Sequence, residues 1–318
     1  MQGKQPKVVV IGGGTGMPVL LRGLKNLPID LTALVNVSDD GGSTGRIRNE
    51  MQIPAPGDIR NVIAALSDAE PMLLELFQHR FTAGNGLSGH SLGNLLLAAL
   101  TSITGDFYTG IQEISRVLNV RGQIYPISNQ NVTLHAKMID GSIIKGESKI
   151  PEYPLPIESV YLSPQPVKPL NQAIRALNSA QLIVISPGSL YTSILPNLII
   201  PEIIDTSKET DAKIVYVCNV MTQAGETTDY TAADHVQAII DHIGEGIVDS
   251  VIVHNETISE SKKLMYAEEQ SEPVELDKKR LLKLGLEVIE GDIIDHQQTL
   301  FRHDTEKISQ LLYSLIKN

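Results

Sequence analysis

Val8-Val9-Val10-Ile11-Gly12-Gly13-Gly14-Thr15-Gly16 decides how the rest of the chain is read. Four β-branched residues run unbroken, as in a parallel strand covered on both faces. Glycine then fills four of the next five positions, and Met17–Leu27 follows with helical apolar spacing. Glycine lets main-chain N–H groups come close to a phosphate, and a helix start favours negative charge. A ligand-free turn would not need so many glycines, each of which costs chain entropy. The loop therefore reads as a phosphate cradle. It fits neither of the sharper phosphate motifs. A dinucleotide fingerprint starting at Gly12 or Gly14 would need glycine where Met17 or Val19 stands, and no P-loop lysine follows.

Working outward, similar apolar runs recur at Leu31–Val35, Leu182–Ser186, Ile214–Cys218, Ser250–His254 and Leu286–Ile289. Helical patterns lie between them at Ile59–Ala65, Met72–Phe81, Leu92–Ile103, Gly110–Leu118, Pro169–Ala180, Thr231–Ile243 and Thr305–Ile316. Strand, loop and helix in alternation predict an α/β fold with a doubly wound, mainly parallel sheet. Residues 122–169 break the rhythm. Gln123–Ser128, Val132–Ile139 and Ile143–Lys145 read as β runs with an Asp140-Gly141 turn, and six prolines stiffen the return over Pro151–Pro169. This stretch is expected to be a small β insertion within one domain spanning residues 1–318.

The chain of 318 residues carries 26 Lys+Arg against 37 Asp+Glu, a net charge of −11. That balance argues against a general nucleic-acid binder, which needs a basic face to displace counterions. It leaves room for a small anion held by local donors. A single cysteine, Cys218, excludes a disulfide framework and a Cys-rich zinc site, and at the end of a buried strand it reads as inert. The start has no signal-peptide pattern, and no apolar run approaches the ~18 residues that span a bilayer. The expected location is the cytoplasm, without membrane insertion.

Other predicted strands also end in polar loops. Asn36-Val37-Ser38-Asp39-Asp40-Gly41-Gly42-Ser43-Thr44-Gly45-Arg46-Ile47-Arg48 follows the second strand. Asp39 and Asp40 suit a hard cation or a sugar hydroxyl, and an Asx-type turn accounts for them equally well. Arg46 and Arg48 suggest a second anion pocket. Asp58, in Pro54–Asn61, reads most simply as a helix N-cap. Ser186–Ser193 and Asn219–Thr227 add hydroxyls and amides at two more strand ends, as the crevice rule for ligand sites anticipates. His90, before the Leu92 helix, suits a phosphate contact or a structural role. Tyr266 and Arg302 lie in polar stretches, where ordinary packing and a solvated arginine explain them from the residues alone. Asp304 reads as the cap of the last helix, and a phosphate added at Thr305 would sit favourably at that helix start.

Taken in order, the loops GGGTG, NVSDDGGSTGRIR, PAPGDIRN, GHSLGN, SPGSLYTS and NVMTQAGET resemble the gluconeogenesis factor family. This bacterial group is linked to cell shape and to growth on gluconeogenic carbon. It is related to 2-phospho-L-lactate transferase, which makes a deazaflavin cofactor. The resemblance runs from Lys7 to about Leu312. It implies a Rossmann-like core that binds a uridine-diphospho sugar, notably UDP-N-acetylglucosamine. Gly13, Gly14, Thr15 and Gly16 would hold phosphates, with Asn36, Asp40, Asn219 and Thr222 lining the crevice and Tyr266 and Arg302 touching the sugar nucleotide. The transferase relatives bind metal through an aspartate-bearing loop, which matches Asp39 and Asp40 and suggests Mg²⁺. Two readings follow. One is a non-catalytic sensor of a wall-precursor nucleotide sugar that needs no cofactor and acts on proteins of cell-wall synthesis, as a single chain or a homo-oligomer. The other is a Mg²⁺-dependent transferase with a nucleotide-activated donor. An NAD-dependent oxidoreductase is a third reading, disfavoured by the failed fingerprint.

Overall fold

The computed structural model describes residues 5–255, 270–295 and 303–317. Ten strands are present among them: β1 (Lys7–Gly12), β2 (Asp30–Val35), β3 (Gln123–Pro126), β4 (Thr133–Met138), β5 (Ile143–Lys145), β6 (Ile157–Ser163), β7 (Leu182–Ile185), β8 (Lys213–Val217), β9 (Ser250–His254) and β10 (Glu287–Gly291). Seven form one sheet in the order β10-β9-β8-β7-β1-β2-β3. Every pair in it is parallel. Helices cover both faces, which is why the central strands carry continuous apolar runs: Val8, Val10, Leu34, Val184, Val215 and Val251 are wholly buried. The winding reverses between β1 and β7, so the crevice of this α/β fold opens where their loops part.

Two strands differ from the sequence expectation. Gln123–Pro126, taken with the insertion, pairs with β2 and forms the edge of the main sheet. Ile157–Ser163 lies inside the proline-rich return yet pairs with β4, completing a separate antiparallel sheet in the order β5-β4-β6. The prolines flank this strand without interrupting it, and its inward residues Ile157, Val160 and Leu162 are buried. The small sheet has no core of its own. Leu134, Ala136, Met138 and Ile150 belong to the same buried cluster as Val8 and Leu21.

Helices α1 (Gly16–Leu24), α2 (Gly42–Met51), α3 (Gly57–Leu66), α4 (Pro71–Gln78), α5 (Leu92–Thr104) and α6 (Phe107–Val117) come before β3 in the chain. Helix α2 falls where the sequence reads as a loop. Its glycines are weak helix formers, but Gly45 packs directly on the Asp40 carbonyl, an approach that no side chain permits. Later helices Asn171–Ser179, Pro201–Glu209, Ala232–Ile243 and Thr305–Lys317 complete the two layers. Asp304 Oδ1 accepts from the Glu306 and Lys307 amides, both at 3.0 Å, and so caps the last of them. No helix among the described residues is long and apolar enough to cross a membrane.

Candidate functional site

Because the main sheet is wholly parallel, the loops after β1, β2, β7 and β8 all leave from its carboxyl edge. The β1 loop turns at Gly14, whose φ of +65° suits glycine. Helix α1 then starts with Thr15 exposed and with no side chain capping its first amides. A Cβ on Gly16 would collide with the Pro187 carbonyl, so the β7 loop presses directly on this helix start. A Cβ on Gly13 would stand 2.5 Å from Asp58 Oδ2 and 3.0 Å from Asn36 Cβ.

Asp58 is not the N-cap of α3. The cap position is Pro56, and Asp58 lies in the first turn, buried, with its carboxyl accepting from the Gly14 N–H. Burial first, then the charge of Asp39, pushes its pKa up to about 7. Asp39 Oδ1 accepts from the Gly41 N–H at 2.8 Å, and its other oxygen lies where a Cβ on Gly57 would be only 2.5 Å away. Burial raises its pKa as well. Glu147, from the turn after β5, completes this acidic pocket. Its pKa rises to about 8, through burial and then the charges of Asp39 and Asp58. Asp40 turns elsewhere: Oδ1 accepts from the Ser148 N–H at 2.9 Å, tying the β2 loop to the insertion. The adjacent aspartates thus diverge, and the structure brings Asp39 together with Asp58.

The amide and hydroxyl candidates hold the loops in register. Asn36 is buried, donates to the Thr192 carbonyl at 3.3 Å and accepts from the Ser38 hydroxyl at 2.9 Å. Asn219 pairs with both backbone groups of Gly188, at 3.0 and 2.7 Å. Thr222 Oγ1 accepts from the Glu272 N–H at 2.8 Å, so the β8 loop is stitched to the backbone at Glu272. Tyr266 and Arg302 lie outside the described residues. Arg48 is not part of an anion pocket. It is buried and donates to the Ser38 and Asp39 carbonyls and to Asn131 Oδ1. His90 Nδ1 lies 3.0 Å from the Ser43 hydroxyl, where it joins α2 to the start of α5.

Sequence reasoning missed Glu147 and misassigned Asp58. No local pattern marks Glu147, which reaches the pocket only because the insertion folds back on the β2 loop. It also passed over Glu226, which is buried and raised in pKa by that burial while accepting from the Thr192 hydroxyl at 2.7 Å and the Tyr191 N–H at 3.0 Å. Among the described residues no group of three or more His, Cys, Asp or Glu side chains forms a ready metal cage. Mg²⁺ needs less than that, since it binds through one or two carboxylates and completes its shell with water and phosphate. Asp39 and Asp58 fit such an ion, because a cation there would favour the ionised carboxylates that burial, and then nearby negative charge, disfavour.

Residues 8–294 match the family model described as 2-phospho-L-lactate transferase CofD. The gluconeogenesis factor of Bacillus subtilis is 54% identical over 315 residues, covering 99% of both chains. That of Halalkalibacterium halodurans is 55% identical over 309 residues, covering 97% of this chain and 96% of its own. A crystal structure of a Bacillus halodurans protein superimposes with a TM-score of 0.96 at 55% identity, over 98% of this chain and all of that one. With these relatives matched along almost its whole length, the chain belongs to the gluconeogenesis factor family, a relative of the CofD transferases.

Proposed function

We propose that the protein binds a uridine-diphospho sugar, UDP-N-acetylglucosamine, in the crevice between the β1 and β7 loops. It relays the level of that ligand to cell-wall synthesis, cell shape and gluconeogenic growth from the cytoplasm. The observation that carries this reading is the uncapped start of α1 behind the positive-φ turn at Gly14. The amides that follow Thr15, which its side chain does not cap, lie at the positive end of a helix and suit a diphosphate, while the Gly14 N–H is held by Asp58. In this reading Gly13, Gly14, Thr15 and Gly16 form the cradle. Asn36, Asn219 and Thr222 set its walls through the bonds that fix their loops, and Asp40 anchors the insertion beside it. Tyr266 and Arg302 remain proposed contacts of the sugar nucleotide.

The test is calorimetric titration with UDP-N-acetylglucosamine, UDP and uridine. The two diphosphates bind, and uridine binds at least about a hundredfold more weakly, the loss of several charge-assisted hydrogen bonds. Equal affinity for uridine and UDP would remove the phosphate cradle from the account.

The acidic pocket favours a second reading, a Mg²⁺-dependent transferase of the CofD type. Asp39 and Asp58 would hold the ion, with Glu147 beside them, and the bound ion would neutralise charge on a phosphoryl group. Incubation with UDP-N-acetylglucosamine, Mg²⁺ and candidate acceptors decides between the readings. Turnover in the parent chain that disappears in Asp39→Asn supports the transferase. Ligand binding without turnover supports the sensor.

A further inference from the structure

Two arginines hold one short turn at residues 88–90, and a third lies along the start of α5 that follows it. Arg46 reaches the turn from α2, where Nη2 donates to the Ser88 carbonyl at 2.9 Å. Arg80 reaches it from the end of α4, where Nη1 donates to the neighbouring Gly89 carbonyl at 2.7 Å. Arg60 comes from α3 and lies along Gly93, whose absent side chain leaves room for it; a Cβ there would stand 2.8 Å from Arg60 Cγ. Its Nη2 donates to Asn61 Oδ1 at 2.7 Å. Gly89 has a φ of +83°, and a Cβ on it would be 2.8 Å from Arg46 Nη2, so the turn is shaped to admit the guanidinium.

Among the described residues, none of the three forms an ion pair with a carboxylate, although acids outnumber bases 37 to 26. Arg116, Arg121 and Arg280 all find acidic partners elsewhere on the surface. Here the groups act on one another instead. Arg80 follows burial as the cause that lowers the Arg60 pKa, and His90 is depressed by burial first and then by Arg46 and Arg80, opposed by Glu50. Asp39 and Asp58 act on Arg60 without pairing with it. A guanidinium has five N–H donors, and the bonds above use one on each arginine. Most of the donors are therefore free to meet a ligand.

We infer that Arg46, Arg60 and Arg80 form a second anion site, which takes the phosphate group of a small phosphorylated compound. Planar donor forks from several directions match the oxygens of a phosphate, and a dianion balances the gathered charge. None of the three residues belongs to the glycine loop, so the inference does not rest on the nucleotide-sugar reading.

The experiment titrates the full chain with inorganic phosphate at constant ionic strength and follows the melting temperature, with and without saturating UDP. The double variant Arg46→Gln/Arg80→Gln changes two exposed side chains and leaves the buried core intact. Arg116→Gln is the control for general charge loss. In the parent chain and in the control, phosphate is expected to raise the melting temperature even when UDP is present, because a ligand bound only to the native state stabilises it. In the double variant the apparent phosphate affinity should fall by about tenfold or more, the loss of two charge-assisted contacts. Its melting temperature without phosphate, and any shift with UDP, should match the parent. A phosphate response that persists in the double variant, that falls equally in Arg116→Gln, or that is absent from the parent chain would overturn the site. Should UDP fail to bind, the nucleotide reading falls alone, because the titration without UDP still reports on the arginines.

Discussion

Asp58 links the two chemistries of the crevice, since its carboxyl touches the phosphate-type loop through Gly14 and the acidic pocket through Asp39. Its raised pKa has a consequence for stability. Asp58 moves from an ordinary 3.8 to about 7, and Glu147 from 4.5 to about 8. The folded chain therefore holds these protons where the unfolded chain has lost them. Stability contributed by this pair is greatest below pH 4 and falls as pH rises to about 7 and 8. Asp58→Asn keeps an acceptor for Gly14 and removes the ionisation. Urea midpoints measured against pH should show the variant gaining on the parent between pH 4 and 7, by a few kcal/mol at most. A constant difference across that range would refute the buried-carboxyl account. Gly16→Ala tests the opposite wall. The nearest rigid neighbours of the new methyl are backbone atoms of Pro187, including the carbonyl carbon at 2.7 Å. A loss of about 1–3 kcal/mol is expected from overpacking, read by chemical denaturation. At this scale the glycine loop was legible because strain and close approach select glycine directly. The roles of Asp58, Glu147 and Arg48 were not, because each is set by a partner distant in sequence.

Helix starts carry much of the local order. Ser91 Oγ accepts from the Asn94 N–H at 3.3 Å and caps α5, and Asn94 in turn donates to Ser43 at 3.2 Å. Asp106 caps α6 through the Thr109 N–H at 2.7 Å. Thr231 and Asp234 form a capping box at the start of Ala232–Ile243. Thr231→Ala should cost about 1 kcal/mol, measured by the urea midpoint. No loss would mean that the bond to Asp277 or Arg280 is re-formed by solvent without penalty. Elements with strong internal signals, such as β1 and β9, were readable within a residue or so. Those held by tertiary contacts were not. Helix α2 is built on Gly-Ser-Thr-Gly, poor helix formers, and survives because Gly45 fits against Asp40 and Arg48 binds three loop carbonyls. Strand β6 was hidden by prolines that stand on either side of it.

For the whole molecule, the decisive fact is that both sheets share one buried cluster. The insertion contributes Leu134, Ala136 and Met138 to it and also supplies Glu147 and the Ser148 amide to the site. The small sheet is therefore expected to melt with the large one. Calorimetry should give one transition whose van't Hoff and calorimetric enthalpies agree. A separate early transition, lost when residues 133–163 are removed, would show that the insertion unfolds independently. The doubly wound parallel sheet was legible from the spacing of apolar runs alone. The union of the two sheets was not, because alternating burial on β4 and β6 says that a face is covered without saying by what.

The position of β1 has a consequence for how the protein is born. Among the ten described strands it is made before the other nine, yet it ends at the interior of the sheet, with β2 on one flank and β7 on the other. Its second flank, along Val8–Ile11, is covered only when Leu182–Ile185 has been translated, past the midpoint of 318 residues. Throughout that interval an apolar strand with open backbone groups awaits its neighbour. Ribosome-bound chains arrested before residue 182 should remain sensitive to protease at β1, whereas chains arrested well beyond it should not.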